Sequence, residues 1–295
     1  MKNLMTVVAA SACAASFSAS AFADADVPAA DNKANAETME EEDSGWITAG
    51  LDLDFNTAYV WHNVVQTDKP VFQPCAWFDL TFLDPFRFGG YYFLNWDLSD
   101  DRRGADKLYS RRLNESDYNV HVGLTPWTNE DGDMSLDFEL GHEWFTYLFD
   151  HGAPSTREIY LKGTFENPVV TVYGVFSWMY DDVQDVDSGC YYEIGFNKEF
   201  ELCDSLTLGL DWSTGMADAD YHYFLTGVNE NGFLGTTAKA YLNWAVTDWL
   251  SLVGTLAYTG LLDSDVRHEY NAGNGWRDRD DKDVIWGGVS AKLSF

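Results

Sequence analysis

Apolar and polar residues alternate along most of the chain after residue 45. In the stretch from Trp46 to Phe55, one side carries apolar side chains and the other carries small or acidic ones: Ile47, Ala49, Leu51, Leu53 and Phe55 against Thr48, Gly50, Asp52 and Asp54. The last eight residues, GVSAKLSF, alternate in the same way and end at Phe295. A period of two indicates a β-strand with one apolar face and one polar face.

This alternation recurs and predicts about twelve strands, near residues 46–61, 71–83, 86–97, 117–126, 134–147, 156–166, 168–179, 189–199, 205–214, 234–245, 248–261 and 283–295. Each is close to the roughly 9 to 11 residues that a tilted strand needs to cross a bilayer. Helical periodicity of comparable length is not present. The sequence therefore predicts an all-β fold, a transmembrane antiparallel up-and-down β-barrel of about 12 strands formed by residues 45–295.

The connections between these strands alternate between long and short. Long ones such as SDDRRGADKLYSRRLNES follow the odd-numbered strands, and tight ones such as LDP, ENP and VTD follow the even-numbered strands. Outer-membrane barrels have long outside loops and short periplasmic turns. Tryptophans also gather near strand ends, where interfacial belts lie: Trp46, Trp61, Trp96, Trp127, Trp178, Trp244 and Trp249. The alternative, a secreted β-sandwich or soluble barrel, explains these features less well.

Residues 1–23 are typical of a secretory signal peptide, with an apolar and small-residue stretch before the small-x-small pattern Ala21-Phe22-Ala23. A membrane anchor and a lipoprotein signal at Cys13 are the alternatives. Residues 24–44 are acidic, rich in Ala and without aromatics, which predicts a flexible periplasmic leader. The expected location is the outer membrane of a Gram-negative bacterium.

The composition narrows the possible partners. The net charge is −30, and the chain contains 12 Trp, 16 Tyr and 19 Phe. Such acidity excludes nucleic acid as a natural partner, because phosphates would be repelled. Three cysteines remain after the signal, Cys75, Cys190 and Cys203, and the sequence does not assign a pair among them.

The first predicted hairpin carries a family resemblance. The run AYVWHNVVQTDKPVFQ, Ala58 to Gln73, resembles the opening of the TorF-type porin family of bacterial outer-membrane β-barrels, which typically reads Y-V-F-R-G-x-x-Q-T-D-x-x-P-x-x-Q. The chain departs from that outline at His62 and Asn63, where the family usually has Arg and Gly. The resemblance implies a porin-like role and no particular substrate. A terminal phenylalanine also resembles the carboxy-terminal signal by which such barrels reach the barrel-assembly machinery.

Charged residues on the polar faces of the strands are the candidate pore lining. The acidic ones are Asp52, Asp54, Asp79, Asp97, Asp137, Glu139, Glu193 and Asp211, with Glu143 as a further candidate; the basic ones are Arg87, Lys162, Lys239 and Lys292, with Lys198 as a further candidate. These groups either line a wet passage or pair with one another as a polar plug. The excess of carboxylates predicts a mild preference for cations.

No catalytic, cofactor or metal motif is recognisable. The six histidines lack a phospholipase-type setting, and the aspartate-rich run from Asp181 to Gly189 lacks the spacing and closing Glu of a calcium loop. The sequence predicts a passive channel for small hydrophilic solutes, not an enzyme, with membrane lipid and lipopolysaccharide as neighbours. The alternatives are an outer-membrane hydrolase of lipid or peptide, and a structural or adhesion barrel that transports nothing.

Overall fold

The computed structural model describes residues 46–83, 85–98, 113–148, 155–181, 188–271 and 283–295. The predicted signal peptide and leader lie outside these ranges. The elements are β1 (Ile47–Asn56), β2 (Tyr59–Trp61), β3 (Val64–Thr67), β4 (Val71–Leu83), β5 (Phe86–Asp97), β6 (Leu113–Thr128), β7 (Ser135–Tyr147), β8 (Thr156–Glu166), β9 (Thr171–Met179), β10 (Gly189–Cys203), β11 (Leu206–Ala217), α1 (Ala219–Thr226), β12 (Gly232–Thr247), β13 (Leu250–Leu261), α2 (Ser264–Asn271) and β14 (Asp283–Ser294).

Twelve of these strands form one closed antiparallel barrel, which confirms the predicted fold class. Its order is β1-β14-β13-β12-β11-β10-β9-β8-β7-β6-β5-β4, and β4 pairs with β1 again. The seam between the first and last strands continues to the final residue. There Phe295 N donates to Ala49 O at 2.8 Å, and Ala49 N donates to Phe295 O at 3.2 Å. The terminal octet therefore contains the part of β14 that pairs with β1 and closes the barrel.

The two faces of the wall differ as the alternation predicts. Large apolar side chains are exposed on the outer face, among them Phe88, Tyr118, Val122, Leu140, Leu161, Ile194, Leu210 and Leu256. Their immediate neighbours on the same strands point inward and are mostly buried. An exposed apolar belt around a closed barrel is what a lipid-facing wall requires, because hydrocarbon offers no hydrogen bonds to polar groups.

Two short helices lie in the connections from β11 to β12 and from β13 to β14, which are predicted to be outer loops. Asp218 caps the start of α1, its side chain accepting a hydrogen bond from Tyr221 N, and Gly227 ends the helix with a left-handed φ of 76°. Eight residues are too few for a helical period to stand out in a sequence. Among the described residues, neither helix is long and apolar enough to cross a membrane.

The first long connection differs most from the prediction. The strand expected over residues 46–61 ends at Asn56, and the chain then forms a separate two-stranded hairpin from β2 and β3. Every residue from Ala58 to Gln66 is buried. We call residues 58–67 the luminal hairpin, because they fold into the barrel instead of extending above it. The prediction of an outer loop here is wrong.

Glycines on the inner face make room for aromatic rings of the neighbouring strand. The directly paired examples are Gly141 with Tyr160, Gly195 with Tyr173, and Gly209 with Tyr241. A Cβ atom added to any of these glycines would overlap the facing ring. The rings therefore lie against the wall, where their hydroxyl groups reach polar partners.

Replacing Gly209 by Ala is expected to lower the free energy of unfolding by about 1 to 3 kcal/mol, the usual cost of overpacking. The new methyl group displaces Tyr241, whose hydroxyl donates to Glu199 at 2.6 Å and accepts from Asn197 at 3.1 Å. Urea unfolding of the barrel in liposomes measures the change. Gly254→Ala is the matched control, since no atom lies within 4 Å of its added Cβ. Equal effects of the two substitutions would contradict the overlap.

Candidate functional site

The twelve candidate pore-lining residues all lie on the inner face of the barrel. Ten of them are buried, and Arg87 and Asp137 are partly exposed. Glu143 is also inward and buried. The prediction that Lys198 points into the barrel is wrong. Its neighbour Asn197 points inward, and the Lys198 amine instead donates to the backbone oxygen of Pro168 at 2.6 Å near the short-turn rim.

Several of these charges pair with one another near the short-turn rim. The Arg87 guanidinium donates to both oxygens of Asp137 at 2.6 and 2.7 Å, and to Glu139 at 3.2 Å. His121 lies beside them, with its Nε2 3.1 Å from Asp79 Oδ1. At this level the interior resembles a polar plug, the alternative to a wet passage.

The lysines are distributed around the rest of the wall. Lys239 Nζ is 3.9 Å from Asp211 Oδ1, and Lys162 Nζ lies 5.3 Å from the centre of the Tyr173 ring. Lys292 stands directly opposite Asp52 across the seam. Each lysine therefore has a carboxylate or an aromatic ring close to it.

Acidic side chains outnumber basic ones inside the barrel. In the described part of the chain, three lysines are buried, whereas eleven carboxylic acids are buried: Asp52, Asp54, Asp79, Asp97, Glu115, Asp117, Glu139, Glu143, Glu158, Glu193 and Asp211. Three of these acids, Glu115, Asp117 and Glu158, are not among the pore-lining residues predicted from the sequence. The period of two along β6 and β8 would have placed them on the inner face, because Glu158 is in phase with Lys162, and Asp117 is in phase with Asn119.

A layer of carboxyl groups and tyrosines lies towards the long-loop end. Glu143 and Glu158 face each other directly across β7 and β8, and both are fully buried. Oε1 of Glu143 accepts from Tyr91, and Oε1 of Glu158 accepts from Tyr221 at 2.5 Å. Oε2 of each carboxyl group has no hydrogen bond. Two facing carboxyl groups share an acceptor surface that attracts a proton or a cation.

The tip of the luminal hairpin reaches this layer. The side-chain amide of Asn63 donates to Glu193 Oε2 at 2.8 Å and to the Tyr191 hydroxyl at 3.0 Å, and it accepts from Ser213 at 2.9 Å. The ring of His62 lies 4.0 Å from the ring of Tyr191. These contacts connect the hairpin to the barrel wall through side chains.

Both tip residues have left-handed backbones, with φ of 50° for His62 and 61° for Asn63. Such a pair forms the two-residue turn that suits a hairpin, for which Asn and Gly are favoured. Asn63 stands where the resembled family usually has Gly, and it adopts this conformation at little cost. His62 does so against its steric preference.

An apolar cluster covers the tip on the long-loop side. It contains hairpin, wall and helix residues, including Tyr59, Trp61, Val64, Phe93, Phe145, Met179, Leu225, Leu234 and Val266. Helix α1 contributes Leu225 and buries His222, whose pKa is lowered by burial. Luminal hairpin, helix and wall together form a packed layer across the barrel interior.

Metal and disulfide sites are not found in the described ranges. No group of three or more His, Cys, Asp or Glu side chains there is arranged to hold a metal ion. Cys75, Cys190 and Cys203 are all free thiols.

No protein-family model and no curated protein matches the sequence. Among solved structures, the chain is similar to the COG4313 outer membrane channel from Pseudomonas putida F1, with a TM-score of 0.51 and 10% identity over 87% of this chain and 100% of that chain. The NanC porin aligns with a TM-score of 0.48 and 6% sequence identity, over 84% of this chain and 98% of that chain. Outer membrane phospholipase A from Escherichia coli aligns with a TM-score of 0.45 and 15% sequence identity, over 83% of this chain and 92% of that chain. Identities this low show the fold alone.

The architecture and the surface agree with this similarity. Twelve strands close into a barrel, and its outer face carries an apolar belt. The chain is a closed twelve-stranded antiparallel β-barrel of the outer-membrane type.

Proposed function

We propose that the chain is an outer-membrane channel for passive diffusion of small hydrophilic solutes, with a mild preference for cations. The main support for cation preference is the excess of buried carboxylic acids over buried lysines among the described residues of the barrel. Residues 58–66 of the luminal hairpin are buried inside the barrel, and we propose that they obstruct the passage and that conduction requires the hairpin to move. The resemblance of this hairpin to the TorF-type porin family agrees with the proposal.

The charge excess favours a passage over a permanent plug. Ionised carboxylates in a dry interior are very costly unless each is paired. In the described part of the chain, eleven buried carboxylic acids stand against three buried lysines, so the interior carries an excess of acidic groups. Water and mobile cations in the lumen relieve that cost, and the resulting negative potential concentrates cations along the path.

A hydrolase is less well supported. Among the described histidines, His121 contacts Asp79 and Asn119, and His222 contacts Thr226, within an α1 helix packed against the interior. His142 lies against Trp144 and bonds Tyr180. No Ser–His–carboxylate arrangement of the triad type is seen at these positions.

We further propose that the terminal strand is recognised by the barrel-assembly machinery and that the apolar belt contacts outer-membrane lipid and lipopolysaccharide.

Changing Asp52, Asp54 and Asp79 together to Asn is expected to reduce cation selectivity, because three inward carboxylates near the seam are neutralised. The measurement is the reversal potential of the channel in a planar bilayer under a KCl gradient. The native protein should prefer K⁺, and the preference should weaken near 1 M salt, where the screening length is about 3 Å.

The matched control changes Asp131, Asp204 and Asp248 to Asn, three exposed carboxylates at the short turns. It removes the same charge without altering the interior, so its selectivity should stay close to that of the native protein. Anion preference in the native channel, or an equal loss in both triple variants, would contradict the assignment of the pore field to Asp52, Asp54 and Asp79. Absence of any conductance would contradict the channel itself.

A further inference from the structure

We propose that the acidic and aromatic side chains around the hairpin tip form a binding site for the primary ammonium group of a small organic cation. In the closed barrel, His62 and Asn63 occupy this site as a tethered substitute. The inference rests on the proposed function, since it names the class of solute that the channel would hold. Four side chains of the wall define the site: Glu143, Glu158, Glu193 and Tyr191.

The way in which the wall holds Asn63 indicates what kind of group the site accepts. The amide nitrogen of Asn63 directs its N–H groups to Glu193 Oε2 at 2.8 Å and to the Tyr191 hydroxyl at 3.0 Å. The wall therefore presents a carboxylate and a hydroxyl to an N–H donor. An ammonium group carries three such donors, no acceptor and a positive charge, so it satisfies a carboxylate better than a neutral amide does.

Two further acceptors at the site remain unused. Oε2 of Glu143 and Oε2 of Glu158 belong to fully buried side chains and have no hydrogen bond. The nearest hairpin nitrogen, His62 Nε2, is 3.7 Å from Glu158 Oε2, which is too far for a hydrogen bond. Buried acceptors without donors are rare and costly. The tip of the hairpin therefore satisfies the site only in part.

Aromatic faces complete the site and favour an organic cation over a metal ion. The centroid of the His62 ring lies 4.0 Å from that of the Tyr191 ring and 5.5 Å from that of the Tyr221 ring. Trp61 belongs to the apolar cluster. Aromatic rings stabilise ammonium groups through their negative faces. Metal ligation needs several oxygens converging on one point, and the described residues offer no such group.

The backbone of the tip is consistent with an occupant that leaves. His62 is held at φ 50°, a conformation that its side chain disfavours. The tip is anchored to the wall by the hydrogen bonds of Asn63, whereas His62 makes a long ionic contact of 3.7 Å to Glu158. A ligand that makes stronger bonds to the same carboxylates can displace such an occupant.

The test is calorimetric titration of methylammonium chloride into the detergent-solubilised full chain, at constant ionic strength. Asn63→Gly keeps the left-handed turn but removes the competing amide, so it should tighten binding by about tenfold, as expected when the competent state becomes more populated. Glu158→Gln and Glu143→Gln should each weaken binding by about tenfold, because each replaces a charge-assisted bond. Glu201→Gln, which removes an exposed carboxylate at the end of β10, is the matched control and should bind as the native chain does.

Tetramethylammonium has the charge but no N–H groups, so it should not compete with methylammonium. Heat-dependent gel mobility verifies that each variant forms a closed barrel, and the two Glu variants provide independent measurements if one fails to fold. Lack of binding, equal affinity in native and both Glu variants, unchanged affinity in Asn63→Gly, or equal competition by tetramethylammonium would each overturn the site. The calorimetry is independent of conduction. KCl conductance without methylammonium binding would reject the binding site and leave the channel function standing. Methylammonium binding without KCl conductance would reject the channel function and leave the binding site standing.

Discussion

Replacing the luminal hairpin by four Gly and Ser residues is expected to raise the mean KCl conductance of the barrel by about tenfold or more, because the open state becomes the major one. The replacement is geometrically simple. Asn56 at the end of β1 pairs directly with Val71 at the start of β4, so a tight turn suffices to join the two strands. Single-channel recording in planar bilayers measures the change.

A cross-link provides the opposite variant. Asn63 and Ser213 are in side-chain contact at 2.9 Å. Cysteines at both positions, in a chain whose Cys75, Cys190 and Cys203 are replaced by Ser, should hold the hairpin in place when oxidised. Conductance should then be minimal and should recover on reduction. A hairpin-free barrel that conducts no better than the native one would show that the hairpin does not close the passage.

Replacing Ile194 by Arg is expected to destabilise the barrel by about 2 to 4 kcal/mol, the cost of a cation at the middle of a lipid-facing wall. Ile194 lies near the centre of β10 and is 47% exposed on the outer face. The free energy of unfolding in urea, measured in liposomes, gives the cost.

Leu202→Arg is the depth control for this substitution. Leu202 is exposed on the same strand, beside the turn that joins β10 to β11. An arginine there reaches the interface, so the expected cost is only about 0 to 1 kcal/mol. Similar costs at both positions would show that Ile194 does not lie near the bilayer midplane.

The barrel wall was predictable because long strands repeat their period many times. The strand predicted at residues 86–97 is β5 with the same bounds, and the strand at 156–166 is β8. A period of two sustained over ten or more residues also assigns the inner and outer faces. Where two polar residues follow each other the phase is ambiguous, and Lys198 after Asn197 was misplaced for that reason.

The luminal hairpin was not predictable from alternation alone. Its strands are three and four residues long, too short for a period, and every residue from 58 to 66 is buried on both sides. The available signal was the apolar pair Val64-Val65 after the polar turn His62-Asn63, which an outer loop in water has no need of. Its inward position depends on partners such as Tyr191 and Ser213, which lie more than a hundred residues away.

The seam described between β1 and β14 has a consequence for the order of folding. Asp52 pairs with Lys292, and Ala49 with Phe295, so the contacts that close the sheet join residues about 240 positions apart. Contacts this distant form slowly, because a very long loop must close first. Until the last strand arrives, β1 and β13 both present unpaired edges that attract other strands. The final twelve residues therefore set the time during which the growing sheet is open to aggregation.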